Sequence, residues 1–118
     1  MIVYWIKSKD GKEYPIRYNM TVFYQVATDC EIPSNKLQKF LASYDDWPLS
    51  RQYSLHRYAL ESGARKEGKQ FNMGELEFMD WVSDDDTILD QIMKFFIESL
   101  TTGSEVSKSE KKQVKGKT

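Results

Sequence analysis

The sequence predicts a small α+β domain: an N-terminal β-hairpin packed on a bundle of four to five α-helices, followed by a disordered C-terminal tail. Three observations lead there. Two runs rich in β-branched and aromatic residues, 2–8 (IVYWIKS) and 13–18 (EYPIRY), flank an Asp10-Gly11 pair. From Asn19 to Leu100 the apolar residues recur at helical spacing, interrupted by Pro, Gly, Asn and Ser. From Thr101 the composition turns to Ser, Thr, Lys and Glu with almost no apolar residue. A chain of 118 residues is the size of one domain and can bury a core without disulfides or metal. The expected boundaries are 1–100 for the domain and 101–118 for the tail.

Asp-Gly is a strong turn signal, because both residues tolerate positive φ. The return strand carries Pro15, which cannot donate to a ladder and so points to an edge or a strand end. A lone two-stranded hairpin is marginal in water and must be covered. Asn19 is the expected cap of a first helix reaching about Cys30, with Met20, Phe23, Val26, Ala27 and Cys30 inward. Ser34 is the expected cap of a second, with Leu37, Phe40 and Leu41 inward. After a break at 44–48, a third helix is predicted from Asp46 or Trp47 to about Gly63–Lys66, with Gly63 and Gly68 as its expected end, Pro48 in its first turn and Leu49, Tyr53, His56, Ala59 and Leu60 inward.

Asn72 with Glu75 three residues on has the form of a capping box. It would open a fourth helix that buries Met73, Leu76, Met79 and Val82, with Phe78 and Trp81 beside that face. Ser83 or the run Asp84-Asp85-Asp86 is expected to cap a fifth, reaching about Leu100. The fifth is apolar over most of its circumference, so it is expected to be buried on more than one side, in the core or against another chain.

Chemistry is sparse. Cys30 is the only cysteine and His56 the only histidine, so no disulfide framework or multi-Cys zinc site can form within the chain. His56 lies on an apolar face and reads as a packed residue. A Cys30–His56 dyad would require the two side chains within hydrogen-bond reach. The acidic run lacks the glycine and spaced oxygens of a calcium loop and fits a helix N-terminus, where carboxylates complement the dipole. Gly63 to Gln70 (GARKEGKQ) echoes a phosphate loop but has Gln70 where a hydroxyl is needed and follows a helix rather than a strand. No cofactor, metal or catalytic residue is expected. The opening apolar run is too short for a membrane span and lacks a basic leader, so the expected compartment is the cytoplasm.

The charges are unevenly placed although the net charge is only −1. Between Lys69 and Lys94 there is no basic residue, yet Glu75, Glu77, Asp80, Asp84, Asp85, Asp86 and Asp90 are acidic. Arg65, Lys66 and Lys69 precede this segment, and five lysines occupy the tail. The segment reads either as a solvated face or as an acidic, Trp-bearing surface for a basic partner or a second copy. Its candidate partner-binding residues, with those of the last helix, are Phe78, Trp81, Asp84, Asp85, Asp86, Phe95 and Phe96.

The order of elements carries a resemblance. A hairpin built around Asp10-Gly11-Lys12-Glu13-Tyr14-Pro15-Ile16 is followed later by Tyr58-Ala59-Leu60, then Gly63-Ala64-Arg65, then Glu67-Gly68-Lys69 and Phe71. An acidic helix ending Asp80-Trp81-Val82 and a final helix with Ile92-Met93, Phe96 and Glu98-Ser99-Leu100 complete it. Over roughly residues 6–100 the chain resembles the tail assembly chaperones of long-tailed bacteriophages and prophages. It departs from them around Trp47-Pro48 and Arg51-Gln52-Tyr53, which are more polar and aromatic than that pattern. The resemblance implies a non-enzymatic protein that holds the long, helical tape-measure protein and helps recruit tail tube protein. It implies action in the cytoplasm of a bacterial host and absence from the mature virion. Adaptable Met and Phe surface for an extended partner must be covered in the free protein, so a homo-oligomer is expected. Neither membrane nor nucleic acid is an expected partner. The alternative is a small DNA-associated or regulatory helical protein that uses the basic tail.

Overall fold

The computed structural model describes the backbone of residues 2–112 and the side chains of residues 2–101. It is an α+β fold in which a two-stranded antiparallel hairpin, β1 (Tyr4–Lys7) and β2 (Glu13–Ile16), is packed against five helices. These are α1 (Met20–Asp29), α2 (Leu37–Ala42), α3 (Leu49–Lys66), α4 (Glu75–Asp84) and α5 (Asp86–Lys112), with 3-10 turns at Ser34–Lys36 and Tyr44–Asp46. Of the expected tail, the backbone continues α5 to Lys112, and residues 113–118 lie outside the described residues.

The hairpin closes through a five-residue loop rather than a two-residue turn. Gly11 takes φ +89°, its N–H bonds the Ser8 carbonyl at 3.0 Å, and Ser8 N–H bonds the Lys12 carbonyl at 2.9 Å. The Asp10 carboxylate accepts from the Ser8 hydroxyl and the Lys12 N–H, which holds it below the usual carboxylate range, the Ser8 bond being the larger cause. The register sets Tyr4 opposite Ile16, Trp5 opposite Pro15 and Ile6 opposite Tyr14. Period-two alternation then puts Tyr4, Ile6, Tyr14 and Ile16 on the inner face and Trp5, Lys7, Glu13 and Pro15 on the other.

Both sides of the hairpin are held by helices. On β1, the Gln91 side chain of α5 accepts from Lys7 N–H at 2.9 Å and donates to Lys7 O at 2.8 Å, and Phe95 stacks on Tyr4. On β2, Arg17 N–H donates to the Ala59 carbonyl of α3 at 3.0 Å, and Arg17 Nε donates to Ser62 Oγ at 2.8 Å. This approach depends on Gly63. A Cβ there would stand 2.4 Å from the Pro15 carbonyl oxygen, so any side chain would push helix and strand apart. Gly63 is thus an interior contact of α3 and not its end.

The end of α3 is set by Gly68, at φ +69°. Lys69 N–H reaches back to Ala64 O (2.8 Å) and Gly68 N–H to Arg65 O (3.3 Å), the double bond pattern of a Schellman cap. The same motif closes α1, with Ile32 N–H on Ala27 O at 2.9 Å, but there Glu31 occupies the left-handed position at φ +57°.

Several expectations about caps and faces are corrected. Asn19 caps α1 as expected, its side chain accepting from Val22 N–H. No side chain caps α3 or α4: Pro48 and Gly74 stand at those positions, and the Asn72–Glu75 box does not form. Ser34 opens a 3-10 turn, so α2 starts only at Leu37. Met20, Leu49 and Leu76 face solvent instead of the core. In α4 two stripes compete, and the one bearing Phe78 and Trp81 turns inward because aromatic rings bury more area per residue than Leu76 or Met79. The predicted break at 44–48 is a packed corner, where Trp47 is buried, stacks on Phe40 and donates its indole N–H to Phe40 O at 3.0 Å.

One substitution tests the contact between α3 and β2, and a second tests the uncapped start of α4. Gly63→Ala is expected to lower the unfolding free energy by about 2–3 kcal/mol through overpacking against a backbone that cannot yield. Gly74→Ser, at a position with open space and an uncapped helix start, is expected to be neutral or to stabilise by up to about 1 kcal/mol. Urea titration of both variants against the parent checks the pair.

Candidate functional site

The residues expected to meet a partner divide into those the fold consumes and those it leaves at the surface. Phe78 and Phe96 are fully or almost fully buried. Phe78 packs edge-on to Tyr53, and Phe96 contacts Tyr18, Tyr44 and His56, so both are core residues of the single chain. Asp85 is buried as well. One carboxylate oxygen accepts from Thr87 N–H (3.1 Å) and Oγ1 (2.7 Å), which caps α5, while the other accepts from Lys9 N–H of the hairpin loop at 2.8 Å. These bonds, the Thr87 hydroxyl's first, hold its pKa below the ordinary carboxylate value. Asp85 therefore joins the hairpin to the corner between α4 and α5.

Trp81 and Phe95 are half-buried, Trp81 against Tyr14 and Phe78, Phe95 against Tyr4. Asp84 and Asp86 are exposed, and Asp86 makes a solvent-facing ion pair with Lys9 at 3.1 Å that contributes little to stability. Of the seven acids between Lys69 and Lys94, Asp85 alone is buried; the others form an exposed acidic surface over α4 and the start of α5. Along α5 the stripe Ile88, Ile92 and Phe96 is buried, whereas Ile97 is 57% and Leu100 36% exposed. The all-round apolar pattern thus resolves into one core stripe and an exposed apolar pair, Ile97 and Leu100, near the middle of the helix.

A shallow, open depression of about 310 Å³ lies beside the end of α3 and the link that follows. Ala64 and Phe71 give it apolar lining, and Glu61, Arg65, Lys69 and Asn72 its polar lining. The Lys69 ammonium also lies 5.9 Å from the ring centre of Trp5. The charge pattern around residues 65–69 was legible in sequence, but the depression was not, because it requires Phe71 to fold back beside Ala64.

His56 is completely buried, and its two ring nitrogens are both engaged. Nδ1 is 2.8 Å from the Tyr18 hydroxyl and Nε2 is 2.7 Å from that of Tyr44. The Tyr44 hydroxyl also donates to Met93 Sδ at 3.5 Å, which fixes the direction of the whole chain. Tyr44 must accept from Nε2–H, so Nδ1 is unprotonated and accepts from Tyr18. A neutral imidazole satisfies every link, and no Cys30–His56 dyad is formed. Burial pushes the His56 pKa down to about 3 and raises those of Tyr18 and Tyr44, Tyr44 to about 12. Among the described residues no group of His, Cys, Asp and Glu is arranged to hold a metal ion, and no helix is long and apolar enough to cross a membrane.

The His56 shift has a sign that can be tested. Its folded pKa lies below the unfolded value near 6.5, so the unfolded chain takes up the proton first. Stability is full above about pH 6.5 and falls as the pH drops toward about 3, by at most about 1.4 kcal/mol per pH unit. Asp10 and Asp85, whose pKa values are lowered from 3.8, lose their contributions as the pH falls below 3.8 toward their folded values. Urea unfolding between about pH 7 and about pH 4.5 should therefore show a loss of about 2.5 kcal/mol from this one group. His56→Gln, whose amide can accept from Tyr18 and donate to Tyr44, is expected to flatten the profile.

Comparison of the chain with protein-family models, with curated proteins and with solved structures gave no match.

Proposed function

We propose that the chain is a non-enzymatic tail assembly chaperone of the kind found in long-tailed bacteriophages and prophages. In this reading it binds the tape-measure protein stoichiometrically and assists tail tube assembly. It works as a homo-oligomer in the cytoplasm of a bacterial host and is absent from the mature virion. The observation that carries the reading is the contact between the two stretches on which the resemblance rests. Residues 10–16 and 58–71 are distant in sequence, yet Pro15 lies on Gly63 and the strand end bonds Ala59. Their shared pattern is then a single packing requirement, which supports kinship of fold layout rather than a chance match of composition.

A chaperone for a long amphipathic helix needs apolar surface left open on a rigid scaffold. The middle of α5 supplies it through Ile97 and Leu100, with the exposed acids Asp84 and Asp86 at the N-terminal end of that helix. Phe78, Phe96 and Asp85 act inside the fold, and half-buried Trp81 packs on Tyr14 and Phe78.

The test is co-purification with fragments of the tape-measure protein encoded next to this chain. The double variant Ile97→Asp, Leu100→Asp is expected to reduce capture about tenfold with an unchanged melting midpoint, since both side chains are exposed. Phe96→Ala, by contrast, should cost about 3–5 kcal/mol of stability. A parent protein that captures no tape-measure fragment, or a gene without tube and tape-measure genes around it, would overturn the reading.

A further inference from the structure

Leu76 is 76% exposed, the largest exposure among the large apolar side chains of the described residues. It does not stand alone. At 100° per residue, α4 turns Phe78 and Val82 inward and sets Leu76 on the opposite side with Asp80 and Asp84, flanked by Glu77. An apolar knob therefore stands in an acidic field. Next to it along the chain lies its counterpart in shape and charge. The depression at the end of α3 has Ala64 and Phe71 as apolar lining and Arg65 and Lys69 as basic groups, with Lys66 exposed nearby; Glu61 is the one acid on it. Asn72 lines the depression, and only Met73, Gly74 and Glu75 separate it from Leu76 in the chain.

A chain that carries an exposed apolar knob and, a few residues earlier, an apolar hole, each among charges of opposite sign, offers both halves of a contact related by a twofold rotation. We propose that two copies of this chain dimerise through it. Leu76 of each copy enters the Ala64–Phe71 depression of the other, and the Glu77, Asp80 and Asp84 field of each faces Arg65, Lys66 and Lys69 of the other. A second copy is the occupant that fits, because one surface offers both halves of the contact and the net charge of −1 sets up no long-range repulsion between copies. The contact is small and rimmed by screened charges, so it forms a weak, salt-sensitive dimer with a dissociation constant on the order of tens of micromolar. This gives a surface to the self-association in the reading above and does not use the tape-measure partner.

Sedimentation equilibrium of the full chain at rising concentration tests it. The parent should be a dimer that weakens with salt. Leu76→Asp should weaken it at least tenfold, as should Arg65→Glu with Lys69→Glu and, separately, Glu77→Lys with Asp80→Lys. Mixing the two charge-reversed proteins should restore a heterodimer at least as tight as the parent. All these side chains are exposed, so circular dichroism is expected to stay unchanged. A parent that remains monomeric at about ten times that dissociation constant, an open series of larger oligomers, or reversed variants that dimerise like the parent would each overturn the proposal. Because no tape-measure fragment enters the measurement, its failure is distinguishable from failure of the chaperone reading.

Discussion

A two-stranded hairpin cannot hold itself together in water, and in this chain the solution is a helix laid almost directly on strand backbone. That approach is possible at one point, where α3 carries glycine against the Pro15–Ile16 peptide. Much of the architecture follows from it. Ala59 and Ser62 flank the contact and offer a carbonyl and a hydroxyl to Arg17, so the strand end is satisfied by the helix rather than by a third strand. Proline in the middle of β2 fits the same arrangement, since the strand has no neighbour on that side and a ladder donor is not needed there. With β2 fixed to α3, β1 is presented to α5, where the Gln91 amide takes both backbone groups of Lys7. Helices thus flank both strands, which is one way a small sheet avoids edge-to-edge association.

The second requirement is that the helices keep their places around the hairpin. The Tyr18–His56–Tyr44–Met93 chain does this from inside the core. Each link has one proton and one acceptor, and the four residues belong to the strand-to-helix linker, α3, the 3-10 turn and α5. An apolar residue in place of His56 could fill the volume but would leave buried hydroxyls without partners, a penalty of about 1–3 kcal/mol for each. The buried histidine is therefore a specifying element of the core. Phe96 packs edge-on to it and against Tyr44, and Trp47 and Phe40 extend the cluster outward from Tyr44.

The element order, the hairpin, the Asn19 cap, the single core histidine and the helical role of the Asp84–Asp86 run were all legible in sequence, because each rests on a local rule about turns, caps or periodicity. What was not legible depended on which of several locally permitted faces wins tertiary contact. Leu76 and Phe78 both lie on permissible apolar stripes of α4, and only the presence of Tyr53 and the core beneath decides that Phe78 goes in. Asn72 and Glu75 had the composition of a capping box, but the helix starts at Glu75 itself, so the pair is out of register with the cap. Phe78 and Phe96, expected at a partner surface, fill the core of the single chain. Gly63 was readable as a helix end and is instead a point of contact, a distinction that needs the strand to be in place.

The local charges have a cause independent of any partner, and that cause shapes what the surface can do. α3 ends in Arg65 and Lys66, and α4 begins with Glu75 and Glu77. Each pair complements the dipole of its own helix end. The short link between the helices, turned by Gly68 and carrying Phe71 back beside Ala64, sets these oppositely charged ends next to each other in the chain. Helix-end electrostatics thereby produces a bipolar patch in a chain whose total charge is nearly zero. The inward rotation of Phe78 and Trp81 leaves Leu76 exposed between Glu75 and Glu77 in the first turn of α4. The same competition between stripes that builds the core of α4 therefore also determines which apolar side chain is offered outward.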